Sequence, residues 1–151
     1  MFGIFPDDNP MNIDGELVLP ASIVIDEFME KMNIPLTYWS IEDYKLSWLR
    51  SLEEGLITKK HATLAVSMYE SESVNFIFTW LLYFQGDKVF IQNKILFLDE
   101  CDGFTAIRIN DFVEPRSTYT EDGIKISEWI TDLDSVIDFY KALRQWKTSR
   151  R

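Results

Sequence analysis

The sequence predicts an α+β fold: a single domain, residues 1–151, in which a mostly antiparallel sheet of about five strands packs with a mid-chain helix and a C-terminal helix. Three features carry that reading. Between Ala62 and Cys101 run three β-prone segments, separated by Glu70–Val74 and by Gln85-Gly86-Asp87, which is the pattern of an antiparallel meander. Before the meander Ser40 opens a helix with a capping signal, and after it Thr131 opens another.

The elements follow in order. Met1–Asn12, with Pro6 and Pro10 around Asp7-Asp8, reads as an extended N-terminal arm whose Phe2, Ile4 and Phe5 can tuck into the body. Glu16–Leu19 and Ser22–Phe28 are β-prone, and Pro20 between them predicts an edge position for the first, because proline cannot donate to a ladder. Pro35 rules out a continuous helix through Met29–Trp39. Ser40 can accept the amide of Asp43 while Asp43 reaches back, and Ile41, Tyr44, Trp48, Leu49 and Leu52 then recur at helical spacing. Gly55 stands where a left-handed residue would close that helix, so its predicted span is Ile41–Glu54.

Asn75–Phe84 is apolar on both faces, as expected of a central strand covered on both sides, and Trp48, Phe76, Phe78 and Trp80 are assigned to the core. On Lys88–Phe97, Asn93 interrupts an apolar face formed by Val89, Ile91, Ile95 and Phe97. It belongs to a buried hydrogen-bond network, the favoured reading, or lies near an opening. Thr105–Val113 is a short helix with Ile109 and Phe112 inward, and Glu121-Asp122-Gly123 is a turn. Along a strand over Ile124–Ile130, alternation puts Glu128 beside three isoleucines, which calls for a basic or amide partner or a bulge; the partner is expected. The last helix begins at Thr131, buries Leu133, Val136, Ile137, Tyr140 and Leu143, and ends in a basic tail at 147–151.

With 46% hydrophobic and 15% aromatic residues the chain is not disordered. It carries 25 acidic and 15 basic side chains, a net −10. Because Arg144, Lys147, Arg150 and Arg151 cluster at the end, residues 1–143 hold 11 basic against 25 acidic groups, a net −14. Such a body repels phosphate backbones and attracts basic proteins, so direct nucleic-acid binding is not expected. Cys101 alone allows no internal disulfide and no multi-thiolate metal site. The lone His61 has no neighbouring nucleophile or orienting carboxylate in the sequence and reads as exposed or capping. None of the six glycines forms a phosphate-cradling loop. No cofactor and no metal are therefore expected, and no enzyme. Phe76–Phe84 is far shorter than the roughly 20 residues of a spanning helix, and the N-terminus lacks a leader pattern. A cytoplasmic monomer without membrane contact is expected. A binding module fits best; an acidic scaffold or regulatory protein, and a hydrolase built on a carboxylate pair, are the alternatives.

The Met1-Phe-Gly-Ile-Phe5 opening, the helix Tyr44-Lys-Leu-Ser-Trp-Leu-Arg-Ser-Leu52, the meander and Ile126-Ser-Glu-Trp129 together resemble the CdiI immunity proteins of bacterial contact-dependent growth inhibition systems. The likeness spans nearly the whole chain. It implies a dedicated, non-enzymatic inhibitor of the C-terminal toxin domain of a CdiA effector. It further implies a basic nuclease as that toxin, with a ribonuclease acting on ribosomal RNA as the leading expectation. Carboxylates offered in place of phosphates could cover the toxin's active site or substrate cleft. The family supplies no binding motif to carry over, so the contact positions come from charge and exposure. Glu70, Glu72, Asp99, Glu100 and Asp102 should share one end of the sheet as a negative rim, with Glu121 and Asp122 nearby; the competing reading is a set of solvated loops.

Overall fold

Alternating strands and tight turns build two antiparallel four-stranded sheets, seen in a computed structural model that describes residues 1–70 and 72–150. The first comprises β1 (Phe2–Pro6), β2 (Met11–Ile13), β3 (Glu16–Ile25) and β4 (Phe28–Pro35). Asp14 and Gly15 both take positive φ (52° and 83°), which lets a two-residue turn join β2 to β3. The extended N-terminal segment is woven into a sheet as β1 and β2, with Phe2 and Ile4 tucked into the body and Phe5 exposed. The two β-prone runs around Pro20 are one strand, which lies inside the sheet and not at its edge. Proline is accommodated there because β1 pairs from Ala21 onward and β2 only up to Val18, leaving a break beside Leu19 and Pro20. At that break the Pro20 carbonyl still accepts the Asp7 amide at 2.8 Å.

The second sheet runs β5 (His61–Ala65), β6 (Phe76–Gln85), β7 (Lys88–Phe97) and β8 (Trp129–Asp132) in that spatial order. The expected meander is its body, and the α+β class with two flanking helices holds, with the strands divided between two sheets. The expected strand over Ile124–Ile130 forms only from Trp129. Residues 118–126 instead fold back on themselves, with Tyr119 bridged to Lys125.

Helix α1 covers Ile41–Thr58, with both halves of the Ser40–Asp43 capping box formed. It runs four residues past the expected end and closes at Lys59, whose φ of 62° supplies the left-handed residue. Gly55 serves another purpose: a Cβ there would collide with the His61 carbonyl and the Phe84 ring. The glycine lets α1 lie directly on β5. Gly55→Ala should cost about 1–3 kcal/mol, the usual result of overpacking, read as a lower urea midpoint at unchanged slope. No change would mean that α1 can lift off the sheet freely.

Helix α2 (Leu133–Ser149) is capped by Asp132, which accepts the Ser135 amide at 2.8 Å, and not by Thr131. Thr131 lies in β8 and donates its hydroxyl to Asp26 at 3.1 Å. Lys147 belongs to the last turn of α2, so the basic end is largely helical; Arg151 lies outside the described residues. The core joins all layers. Phe139 of α2 sits edge-on to Phe2 of β1 (5.6 Å) and near Trp48 of α1 (6.4 Å). The sheets meet where Trp129 touches Phe28 (4.5 Å) and Trp80 (5.6 Å). Among the described residues no helix is long and apolar enough to cross a membrane.

Candidate binding surface

The antiparallel register fixes where the acidic loops lie. Phe76 pairs with Phe97, and the Leu98 amide donates to the Asn75 carbonyl at 2.9 Å. The β5–β6 loop and the segment after β7 thus share one end of the sheet. Glu70, Glu72, Asp99, Glu100 and Asp102 are all exposed there. Glu70 closes its turn by accepting the Ser73 and Val74 amides at 2.9 and 3.1 Å, and Asp99 and Glu100 occupy a 3₁₀ turn, Leu98–Glu100. Glu121 and Asp122, also exposed, tip the 118–126 hairpin on the flank of β7.

That flank is open. β8 pairs with β7 only from Lys88 to Ile91, and no described strand pairs with Gln92–Phe97 on that side. A cavity of about 900 Å³ follows this edge, with Met32, Phe78, Trp80, Asn93, Ile95 and Phe97 in its lining. Phe78 is 46% exposed, Ile95 40% and Phe97 45%. Register pairs Phe78 with Ile95 and Phe76 with Phe97, so the four share a face, and the Phe76 and Phe78 rings meet edge-on at 5.3 Å. Glu30, Glu114 and Glu121 also line the cavity, with Lys94, whose ammonium lies 3.7 Å from Glu114.

Two assignments made from sequence are corrected here. Phe78 is no core residue, and Phe76 is only half-buried: Trp80 packs on Trp129 and is buried, whereas Phe78 lines the cavity. Asn93 is exposed and lies at the opening, while its neighbour Gln92 is the buried amide. The polar break at Asn93 was the one sequence signal that this face becomes wet.

Glu128 has a basic and an amide partner, though not on the apolar strand face expected: β8 begins only at Trp129, and Ile124 and Ile130 are exposed. It accepts from Arg116 Nε at 2.8 Å and from Gln92 Nε2 at 2.7 Å, and the Arg116 guanidinium lies 3.9 Å above the Phe90 ring. The Arg116 hydrogen bond, above all, holds the Glu128 carboxyl below the usual glutamate range, outweighing burial. Its folded pKa is depressed, so its contribution is complete above the ordinary glutamate pKa of about 4.3 and is lost as pH falls through the folded value. Glu128→Gln should cost about 1–2 kcal/mol at neutral pH and make the acid limb of the stability curve shallower. An acid limb identical to that of the parent would mean that the pair is solvent-screened.

Several other polar groups serve the structure. His61 Nε2 lies 2.7 Å from the Asn110 carbonyl, which places a proton on that nitrogen. Ser51 Oγ accepts the Thr63 amide at 2.7 Å and donates to Asn110 Oδ1 at 2.9 Å, so it is a splice between α1, β5 and the 3₁₀ segment Ala106–Phe112. Cys101 is a free, half-buried thiol, with burial and then Glu100 and Asp99 raising its pKa. Among the described residues no group of three potential metal ligands occurs.

The CdiI N-terminal domain model matches residues 34–139. Immunity protein CdiI of Enterobacter cloacae subsp. cloacae is 58% identical over 143 residues, covering 95% of this chain and 99% of that protein. In the solved CdiA-CT/CdiI toxin and immunity complex from Enterobacter cloacae, one chain superposes with a TM-score of 0.92 at 57% identity, covering 96% of this chain and 99% of that one. The chain belongs to the CdiI immunity-protein family.

Proposed function

We propose that this protein is the cognate immunity protein of a CdiA effector and neutralises its C-terminal toxin domain by binding it, without catalysis, as a monomer in the cytoplasm. The observation that carries the reading is the near full-length match to a chain solved in a toxin–immunity complex. The toxin is a basic nuclease, most simply a ribonuclease cutting ribosomal RNA, and its active site or substrate cleft is what the inhibitor covers. The net charge of −14 over residues 1–143 supports this, since a cleft built to hold phosphates will also attract carboxylates. Co-expression with the toxin domain encoded beside the gene tests it. Cells should survive with the inhibitor and die without it; death despite abundant folded inhibitor would end the proposal. Protection should not extend to unrelated effectors, because mismatched facing charges are costly.

The exposed Asp99 and Glu100 belong to the steering surface in this reading. Asp99→Lys together with Glu100→Lys should slow association about tenfold at low salt and flatten its salt dependence, with thermal stability unchanged. Association kinetics identical to the parent across salt concentrations would move the interface away from this rim.

A further inference from the structure

We infer that the cavity along the open edge of β7 is the seat of the toxin domain's apolar anchor: one or two large apolar side chains set among basic residues. The inference rests on the immunity reading above and assigns the centre of its interface. Monomeric proteins rarely expose apolar patches of this kind without a use, and here Phe78, Ile95 and Phe97 are each 40% exposed or more on one face. β8 begins only at Trp129, opposite Ile91, so no described strand flanks Gln92–Phe97 on that side.

The surrounding charge identifies the occupant. Glu30 approaches from β4, Glu121 from the 118–126 hairpin and Glu114 from the segment between, while Lys94 is already held 3.7 Å from Glu114. An apolar floor bordered by three carboxylates, only one of them paired with a lysine, fits an apolar side chain flanked by arginines or lysines. It fits a second copy of this acidic chain poorly, because the same carboxylates would face each other. Asp99 and Glu100 follow Phe97 in sequence with Leu98 between, so the rim at the end of the sheet continues into the cavity. Interfaces concentrate binding energy in a central apolar pocket and leave the charged rim to set association rate. The two regions would therefore read out differently.

The test is the affinity and kinetics of the full chain for the purified toxin domain. Ile95→Glu combined with Phe97→Glu should weaken binding about 100-fold, mainly through faster dissociation, with the melting temperature within a few degrees of the parent. Ile95→Val with Phe97→Leu should bind within about threefold of the parent. A glutamate double variant that binds as the parent does overturns the inference. If that variant fails to fold, hydrogen exchange on the parent complex decides: protection gained at Asn93–Phe97 supports the seat, and none refutes it. A parent chain that dimerises through this edge, with toxin affinity independent of it, also overturns the inference. A parent chain that does not bind the toxin at all instead removes the immunity reading.

Discussion

Trp48→Ala should lower the unfolding free energy by about 3–5 kcal/mol, the range for truncating a large buried aromatic side chain. Trp48 is fully buried on the inner face of α1, within 6.4 Å of both the Tyr44 and Phe139 rings, and its indole N–H donates to the Ala65 carbonyl at 2.7 Å. One side chain thus joins α1, α2 and the end of β5. Alanine removes the ring and the hydrogen bond together and leaves a hole that three rigid elements cannot collapse into. Trp48→Phe keeps most of the volume and should cost about 1–2 kcal/mol, the share of the lost hydrogen bond. Urea unfolding of the two variants separates these effects, and a loss below about 2 kcal/mol for alanine would show that the neighbours repack. Domains of this size have only about 5–15 kcal/mol to lose, so cellular protection should fall as folded protein becomes scarce. The affinity of the folded fraction for toxin should not change. That behaviour is the opposite of what the Ile95/Phe97 variant should show, and the pair of results distinguishes scaffold from interface.

What could be read in the sequence follows a physical division. Signals of short range were readable: the Ser40–Asp43 box and the meander turns each depend on a few neighbouring residues. Signals that depend on which element lies opposite were not. Gly55 looked like a helix stop, but its reason is the His61 carbonyl across the α1–β5 contact. Pro20 looked like an edge residue, and is tolerated because β1 and β2 leave a break beside it. Phe78 looked like core because hydrophobic alternation cannot say where a covering sheet ends. The acidic positions were visible by charge alone, and register then put five of them at one end of the second sheet. The apolar cavity was not visible, since an exposed aromatic and a buried one are the same letter.

Tyr44→Phe should cost about 2–6 kcal/mol although it deletes a single oxygen. That oxygen, fully buried, donates to the Pro35 carbonyl at 2.7 Å and accepts the Met68 amide at 2.9 Å. Removing it leaves a buried acceptor and a buried donor unpaired, at about 1–3 kcal/mol each. The hydroxyl is a latch between the end of β4, helix α1 and the stretch after β5, and that stretch carries Val66 and Ser67 into the wall of the cavity. Burial holds the Tyr44 phenol neutral by raising its pKa well above the ordinary value. A raised folded pKa gives stability that is complete below the unfolded value near 10 and is lost as pH climbs through the folded value. The phenylalanine variant should therefore be less stable at neutral pH and decline less steeply in alkali. Hydrogen exchange should also speed up at the Met68 amide before it does so in β6, because the latch is local while the sheet is not. A variant within about 0.5 kcal/mol of the parent, with Met68 still protected, would mean that water enters and replaces both bonds. The cavity wall would then owe its position to the pairing of this stretch with Phe78, whose carbonyl accepts the Val66 amide and whose own amide donates to Ser67 Oγ, each at 2.9 Å.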